Sequence, residues 1–301
     1  MGISQYIKEI GRGKDGARSL SREQSADLFG QVLDGTVTDL EIGGFCLAMR
    51  IKGETPEEMA GFLDATYRRL QLFPASDKPL VVLPSYNGAR KLPVLTPLLA
   101  LLVARQGLPV LVHGTATETK RVFASAVLEE LGIAALTQVA AIEPGHVAFA
   151  PTELLNPGLK RLLDVRRAVG LRNPAHSLVK LMNPGAGRSV IVGSYTHPEY
   201  SVSMAAVFEL MGSTALLLRG TEGEVVADPR RAPEMRGFIG GKPVLMQEGV
   251  KGTLPSVPDL PTDIGAAATA AYIRSVLDGT TEIPYSIARQ VEHILHLSRQ
   301  S

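Results

Sequence analysis

The chain is short of cysteine, of net charge and of long apolar runs. It has one cysteine, Cys46, in 301 residues, which excludes an internal disulfide and favours a reducing compartment. Lysine and arginine total 31 against 30 aspartates and glutamates, a net charge of +1. No overall basic excess therefore marks a nucleic-acid binder, and a polyanion site must come from a local cluster.

Membrane and secretion signals are missing from the sequence as well. The longest apolar-leaning stretch, residues 94–104, contains Pro97 and is well short of the ~20 residues that a membrane helix needs. The N-terminal segment MGISQYIKEIGRGKDG is charged and has no apolar signal-peptide core. We therefore expect a cytoplasmic protein with no membrane partner.

Familiar catalytic and metal motifs are also absent. The sequence has no Gly-x-Ser-x-Gly elbow, no Walker loop and no His-Glu-x-x-His pair. His293 and His296 share one helical face without an evident third ligand, and Cys46, on an apolar stretch, is interpreted as a structural thiol. The motifs thus predict no catalytic residue, no metal site and no cofactor.

The order of the segments predicts two unlike parts. Residues 1–72 look wholly helical, with capping-box spacings at Ser21, Thr38 and Thr55. A linker at 73–79 leads to apolar strands that alternate with helices, which favours an α/β domain over 73–301 with a mostly parallel sheet. The predicted strands are 80–83, 109–113, 146–149, 189–192 and 214–218, and the predicted helices are 93–106, 118–131, 198–211, 266–278 and 284–298.

Two stretches carry a resemblance to a known family. LDGTVTDLEIGGFCLAMRIKGETPEEMAGFLDAT at 33–66 and VRRAVGLRNPAHSLVKLMNP at 165–184 closely resemble the anthranilate phosphoribosyltransferases. The resemblance implies a small helical domain packed on a larger α/β domain, and a homodimer formed through the helical domain. A C-terminal helix is also expected to pack partly back on the helical domain. Enzymes of this family hold phosphoribosyl pyrophosphate and magnesium between the domains.

The expected pyrophosphate loop departs from the family pattern. A Gly-Thr-Gly-Gly-Asp loop, whose backbone approaches the phosphates closely, falls here on Pro84 to Gly88, PSYNG. Tyr86 is either a packing residue or a platform on which a base stacks. The polar Asn-Ile-Ser-Thr that follows falls on 94–97, where Thr96 keeps a hydroxyl.

The residues at the expected magnesium site depart further from the family pattern. The carboxylate pair that the resemblance places there falls on Val225 and Val226. Magnesium needs hard oxygen ligands, usually with one or two carboxylates, so a metal-dependent pyrophosphate site is not expected. Part of the phosphate side survives as predicted anion-binding residues: His113, Gly114, Thr119, Lys120 and Arg121.

The segment 165–198 contains no acidic residue. The resemblance implies that Arg166 corresponds to the arginine that holds the anthranilate carboxylate. The basic side chains here are either solvated surface charges or an anion-binding surface suited to a phosphodiester backbone. On the second interpretation the nucleic-acid-binding residues are Arg166, Arg167, Arg172, His176, Lys180, Arg188, Arg90 and Lys91. A second basic group, Arg230, Arg231 and Arg236, is interspersed with acids and is interpreted as a solvated loop.

Two functions remain open from the sequence. The first is sequence-independent binding of single- or double-stranded nucleic acid without phosphoribosyl transfer, which the resemblance to a divergent branch of the family supports. The alternative is a magnesium-dependent phosphoribosyltransferase with an altered acceptor or donor site. A sensor of small anions or nucleotides in the old cleft is a third possibility.

Overall fold

The computed structural model describes residues 2–13, 15–257 and 259–301. Four helices form the N-terminal domain, and they are α1 (Ser4–Ile10), α2 (Arg22–Asp34), α3 (Asp39–Lys52) and α4 (Pro56–Tyr67). The capping boxes at Ser21, Thr38 and Thr55 are all present. The prediction of a wholly helical segment was too broad, since the described residues between α1 and α2 form turns and extended chain.

Three phenylalanines bind the N-terminal helices together. Phe29 stacks on Phe62 with ring centroids 4.7 Å apart, and Phe45 meets Phe62 edge-on at 6.0 Å. All three side chains are fully buried. Each ring comes from a different helix, so their burial fixes how α2, α3 and α4 pack.

The second part of the chain is a seven-stranded sheet covered by helices. Its strands are β1 (Leu80–Ser85), β2 (Val110–Gly114), β3 (Val147–Pro151), β4 (Ser189–Tyr195), β5 (Ala215–Arg219), β6 (Met235–Ile239) and β7 (Lys242–Gln247). Its helices are α5 (Thr96–Ala104), α6 (Ala124–Glu130), α7 (Thr152–Leu155), α8 (Pro157–Val169), α9 (Ala175–Leu178), α10 (Pro198–Leu210), α11 (Ala266–Leu277) and α12 (Tyr285–Ser298).

The strand order is β3-β2-β1-β4-β5-β6-β7. The first five strands pair in parallel, and β6 and β7 add an antiparallel edge. The predicted strands and the mostly parallel sheet are confirmed. The order reverses between β1 and β4, and ligands of open α/β sheets bind at the carboxyl ends of strands at such a point.

The N-terminal helices rest on α8, α9 and α10. The C-terminal helix α12 packs on α5 and on β4, β5 and β6. The boundary proposed at 72/73 falls in the stretch between α4 and β1. No helix in the described ranges is both long and apolar enough to cross a membrane.

Candidate functional site

The site at the sheet reversal is filled by the chain itself. After β1 the chain forms a loop, residues 86–95, which we call the β1 loop. The segment 220–224, which follows β5, brings Glu222 and Glu224 onto that loop. We call these two carboxylates the carboxylate plug.

Glu224 is buried and accepts four hydrogen bonds. Its Oε1 accepts from the backbone N–H groups of Asn87 and Gly88, both at 2.8 Å. Its Oε2 accepts from the hydroxyls of Ser85, at 2.5 Å, and Thr96, at 3.0 Å. Backbone amides and hydroxyls at the end of β1 are the groups that hold phosphate in α/β proteins. Here they hold a glutamate.

Glu222 closes the outer part of the same loop. Its Oε2 accepts from the backbone N–H groups of Arg90, Lys91 and Leu92, at 2.8, 3.1 and 3.4 Å. Its φ of 53° lies in the left-handed region, and no other described non-glycine residue has a positive φ. Such a conformation costs on the order of 1 kcal/mol, and the three amides stabilise the carboxylate that it positions.

Lys180 lies beneath the plug rather than on the surface. Its Nζ donates to the Gly223 carbonyl at 2.9 Å. Burial lowers the pKa of Lys180 to about 8, although the Glu224 carboxylate opposes that shift. Lys180 is half-buried, and its ammonium contacts the chain that carries the plug.

His113 and Gly114 are structural rather than anion-binding. His113 is fully buried, its Nδ1 lies 2.8 Å from the Tyr86 hydroxyl, and burial lowers its pKa to about 3. The Thr152 hydroxyl donates to the same Tyr86 oxygen. A Cβ at Gly114 would lie 2.0 Å from the Ser85 carbonyl oxygen. The two residues thus serve the β1–β2 junction, and buried Tyr86 cannot stack on a base.

The exposed cations gather on two loops that are joined to each other. Ala89 pairs with Val122 in an antiparallel bridge, and the Arg121 guanidinium donates to the Gly88 carbonyl. This pairing connects the β1 loop to the loop that follows β2. The exposed polar residues on the two loops are Arg90, Lys91, Thr119 and Lys120, and we call Arg90, Lys91 and Lys120 the basic rim.

Segment 165–198, which contains no acidic residue, is contacted by an acid from another part of the chain. Glu118, on the loop after β2, lies 3.2 Å from Arg121, 2.8 Å from Arg166 and 4.0 Å from Arg172. One carboxylate thus meets three guanidinium groups, which leaves an excess of positive charge. The Nη1 of Arg166 is buried without a hydrogen-bond partner.

The other predicted binding residues divide between surface and interior. Arg167 is exposed at the end of α8, with Asp164 at 3.5 Å. His176 is buried, and burial lowers its pKa to about 4. Arg188 precedes β4, at the opposite end of the sheet from the β1 loop, and donates to the Asp77 carbonyl. The proposed surface therefore loses His176 and Arg188.

The residues present do not fit a magnesium–pyrophosphate group. Val225 and Val226, at the positions expected for the metal carboxylates, are buried in the apolar core. The donors of the β1 loop already hold the plug. Within the described residues, no cluster of three or more His, Cys, Asp and Glu side chains is arranged to hold a metal ion.

Sequence reasoning missed the roles of the three acids that organise the site, Glu222, Glu224 and Glu118. Glu224 and Glu118 were not recognised, because neither stands at a family position for a carboxylate. Both follow strands, after β5 and β2, and an acid shortly after a strand of a parallel sheet was the available signal. In the Arg230 group, Arg230 and Arg231 contact Asp228, and Arg236, which lies on β6, pairs with Glu234.

Comparison with known proteins identifies the fold's relatives. A family model described as the glycosyl transferase family, helical bundle domain, matches residues 4–69. The uncharacterized protein YbiB of Escherichia coli K12 is 39% identical over 302 residues, covering 97% of this chain and 92% of that protein. An anthranilate phosphoribosyltransferase of Methanosarcina acetivorans is 30% identical over 281 residues, covering 84% and 72%.

Solved structures agree with this likeness. Anthranilate phosphoribosyltransferase (TrpD) of Thermus thermophilus superposes with a TM-score of 0.74 at 22% identity, covering 98% of this chain and 89% of that one. The Saccharomyces cerevisiae enzyme in complex with PRPP and Mg superposes with a TM-score of 0.69 at 15% identity, covering 99% and 88%. At these identities the structures show the fold, and the sequence relatives show the family. The chain belongs to the glycosyl transferase family that includes the anthranilate phosphoribosyltransferases.

Proposed function

We propose that this protein binds nucleic acid without sequence specificity and does not transfer a phosphoribosyl group. One observation carries the proposal: the chain's own carboxylates close the inner anion site, while the basic rim outside it stays open. Among the described residues, no carboxylate lies within 4.0 Å of the side-chain nitrogens of Arg90, Lys91 or Lys120. Exposed cations of this kind bind phosphodiesters with no contact to the bases.

Arg167 and the clustered arginines extend this surface. The Glu118 contact ties Arg166 to the loop after β2, so the end of α8 adjoins the basic rim. A strand that crosses both would have Lys91, Lys120 and Arg167 available for phosphate contacts. The net charge of +1 gives no general attraction, so binding depends on this local surface.

A homodimer would duplicate the surface. Helix α3 exposes Leu40, Leu47 and Ile51, with 87%, 46% and 68% of their surfaces accessible, and their spacing places them on one face of the helix. We propose that this face is the dimer contact and that the dimer acts in the cytoplasm, where Cys46 stays reduced. Two surfaces on one dimer raise the apparent affinity if both reach one strand.

Binding to a labelled single strand, followed by fluorescence anisotropy over a range of salt, tests the proposal. Lys91→Glu combined with Lys120→Glu should weaken binding about tenfold or more, equally for unrelated sequences, and should reduce the salt slope by about 1 or 2. Lys78→Glu combined with Arg188→Glu is the matched control, because it reverses two exposed charges at the other end of the sheet. Equal effects of the two variants, or no binding at low salt, would refute the proposed surface.

Phosphoribosyl transfer is the second candidate, favoured by the names of the relatives with 30% identity. It requires the plug to leave the β1 loop. It also requires magnesium ligands other than the side chains of Val225 and Val226, which have no oxygen atoms. Calorimetry with phosphoribosyl pyrophosphate and magnesium decides it. We expect no heat of binding, and saturable magnesium-dependent binding would favour the enzyme.

A further inference from the structure

The two carboxylates of the plug are held very differently. Glu224 is 2% exposed, and both of its carboxylate oxygens accept hydrogen bonds. Glu222 is half-buried, and only its Oε2 accepts hydrogen bonds from described residues, at 2.8, 3.1 and 3.4 Å. Its backbone is also held at a φ of 53°, a conformation that a glutamate rarely adopts. Glu222 is therefore the half of the plug that leaves its donors more easily.

The donors that hold Glu222 form an anion site on the basic rim. The three N–H groups belong to Arg90, Lys91 and Leu92, so two of them come from rim residues. They converge on one carboxylate oxygen, and successive backbone N–H groups of this kind also hold phosphate oxygens. They follow residues 84–88, on which the expected pyrophosphate loop falls. The exposed side chains of Arg90 and Lys91 surround this site with positive charge.

A second set of cations is available to the Glu222 carboxylate. Glu222 and Leu92 line a cavity of about 550 Å³ that Arg219 and Arg230 line as well. The pKa of Arg230 is raised mainly by its hydrogen bond to Asp228, and the charge of Glu222 adds to that shift. Among the residues that the structure describes, no carboxylate lies within 4.0 Å of the Arg219 guanidinium. None of the lining residues comes from the N-terminal helices, so this cavity belongs to the α/β domain alone.

We propose that Glu222 occupies the place of a strand phosphate, which displaces its carboxylate from the three amides when nucleic acid binds. The carboxylate then turns toward Arg219 in the cavity, while Glu224 stays in place and keeps the inner site closed. The inference rests on the proposed function and adds a defined phosphodiester site to the basic rim. Because Glu222 competes with the strand, the affinity of the wild-type protein is lower than that of a protein with the three amides free.

Fluorescence anisotropy of a labelled single strand tests the exchange on the full chain. Glu222→Ala vacates the three amides and should tighten binding about threefold to tenfold. Glu234→Ala is the matched control, because it removes a carboxylate that lines the same cavity but pairs with Arg236. At about 0.15 M salt, where charges more than about 8 Å apart are largely screened, Glu234→Ala should change the affinity less than about twofold. Equal tightening by both variants, or none by Glu222→Ala, would overturn the proposal.

Hydrogen exchange at the amides of Arg90, Lys91 and Leu92 locates the phosphate. In Glu222→Ala these amides should exchange faster than in the wild-type protein, and the bound strand should slow them again about tenfold or more. The two amides that hold Glu224 should keep their protection with and without the strand. If the strand binds Glu222→Ala and leaves the three amides unprotected, the phosphate lies elsewhere and the proposal is overturned.

Arg219→Met tests where the displaced carboxylate goes. The substitution keeps an apolar stem and removes the cation, so it should weaken strand binding about twofold to threefold when Glu222 is present and have no effect in Glu222→Ala. An equal loss in both backgrounds would mean that Arg219 contacts the strand itself, and the exchange onto Arg219 would be overturned. Urea unfolding checks that each variant is folded.

The failure of this inference is distinguishable from the failure of the proposed function. If Lys91→Glu with Lys120→Glu weakens strand binding while Glu222→Ala behaves as the wild-type protein, the surface stands and the exchange is overturned. If neither the wild-type protein nor Glu222→Ala binds the strand at low salt, both are overturned. Binding by Glu222→Ala alone would support the exchange, with the wild-type surface closed by Glu222.

Discussion

The β1 loop and the cavity between the N-terminal helices and the α/β domain, which Arg172, His176 and Lys180 line, are neighbours whose polar groups are satisfied to different degrees. The loop has several backbone N–H donors, and the carboxylates of Glu222 and Glu224 accept hydrogen bonds from them. The cavity has fewer donors, but His176 Nε2 on its wall has no partner. The difference teaches that a set of backbone amides forms an anion site only when no side chain of the protein already accepts their hydrogen bonds. Lys180 separates the two, since its Nζ contacts the plug segment and the residue lines the cavity.

Removing the inner carboxylate should have the largest effect on this arrangement. Glu224→Ala leaves two amides and two hydroxyls without their acceptor and leaves the Lys180 ammonium buried near no counter-charge. We expect a loss of about 3–5 kcal/mol in the free energy of unfolding, measured with urea. Millimolar inorganic pyrophosphate should restore part of it, because the vacated donors can hold a phosphate. A loss no larger than that of Glu222→Ala would contradict the role of the plug.

Displacing the plug without removing it should have the next largest effect. Gly223 has a φ of 87°, and a Cβ there would lie 1.8 Å from the Asn87 side-chain nitrogen. Gly240→Ala is the matched control, since Gly240 also has a positive φ but nothing within 4 Å of its added Cβ. We expect Gly223→Ala to cost about 2–4 kcal/mol and Gly240→Ala about 1. Equal losses would mean that the backbone conformation, and not the contact with the β1 loop, sets the cost.

Acid should destabilise the core beneath the loop. The folded-state pKa of His113 is lowered to about 3 by burial, whereas the unfolded value is about 6.5. Below about pH 6.5 the unfolded state binds a proton that the folded state does not, so the free energy of unfolding falls as pH falls. His113 should account for about 2 kcal/mol between about pH 7.5 and pH 5. His113→Asn should remove that part of the pH dependence, and exposed His146→Asn should not.

Opening only the outer part of the plug should have the smallest effect. Glu222→Ala frees the amides of Arg90, Lys91 and Leu92, which water can reach and partly satisfy. We expect a loss of about 1 kcal/mol or less and faster hydrogen exchange at these three amides. Unchanged exchange there would show that the Glu222 carboxylate does not order the loop.

The sequence predicted the layers of the fold well. The three capping boxes are local patterns, and each is present in the structure. The five parallel strands are continuous apolar runs, typical of strands buried on both faces. Helix α8 was missed, although Asn156 caps it and Pro157 begins it, because its amphipathic residues were interpreted only as a basic segment.

The site was predicted in part, and the limit has a physical cause. The loss of the phosphate loop and of the metal carboxylates could be recognised from the resemblance at 84–88 and 225–226. What replaced them could not, since Ser85 and Glu224 are 139 residues apart in sequence. Similarly, Arg166 looked unopposed because the sequence does not show that Glu118 approaches it. Local patterns specify which groups are present, and the packing of distant loops specifies which remain open.

The attachment of Glu224 to the chain has a consequence for competition. A ligand on a short tether has an effective concentration of about a millimolar or more, even when the tether is flexible. Glu224 is moreover buried and oriented by four hydrogen bonds. Glu224 would therefore outcompete a diffusible phosphate at micromolar concentration for the donors of the β1 loop. We therefore expect the β1 loop to stay closed in the presence of micromolar phosphate.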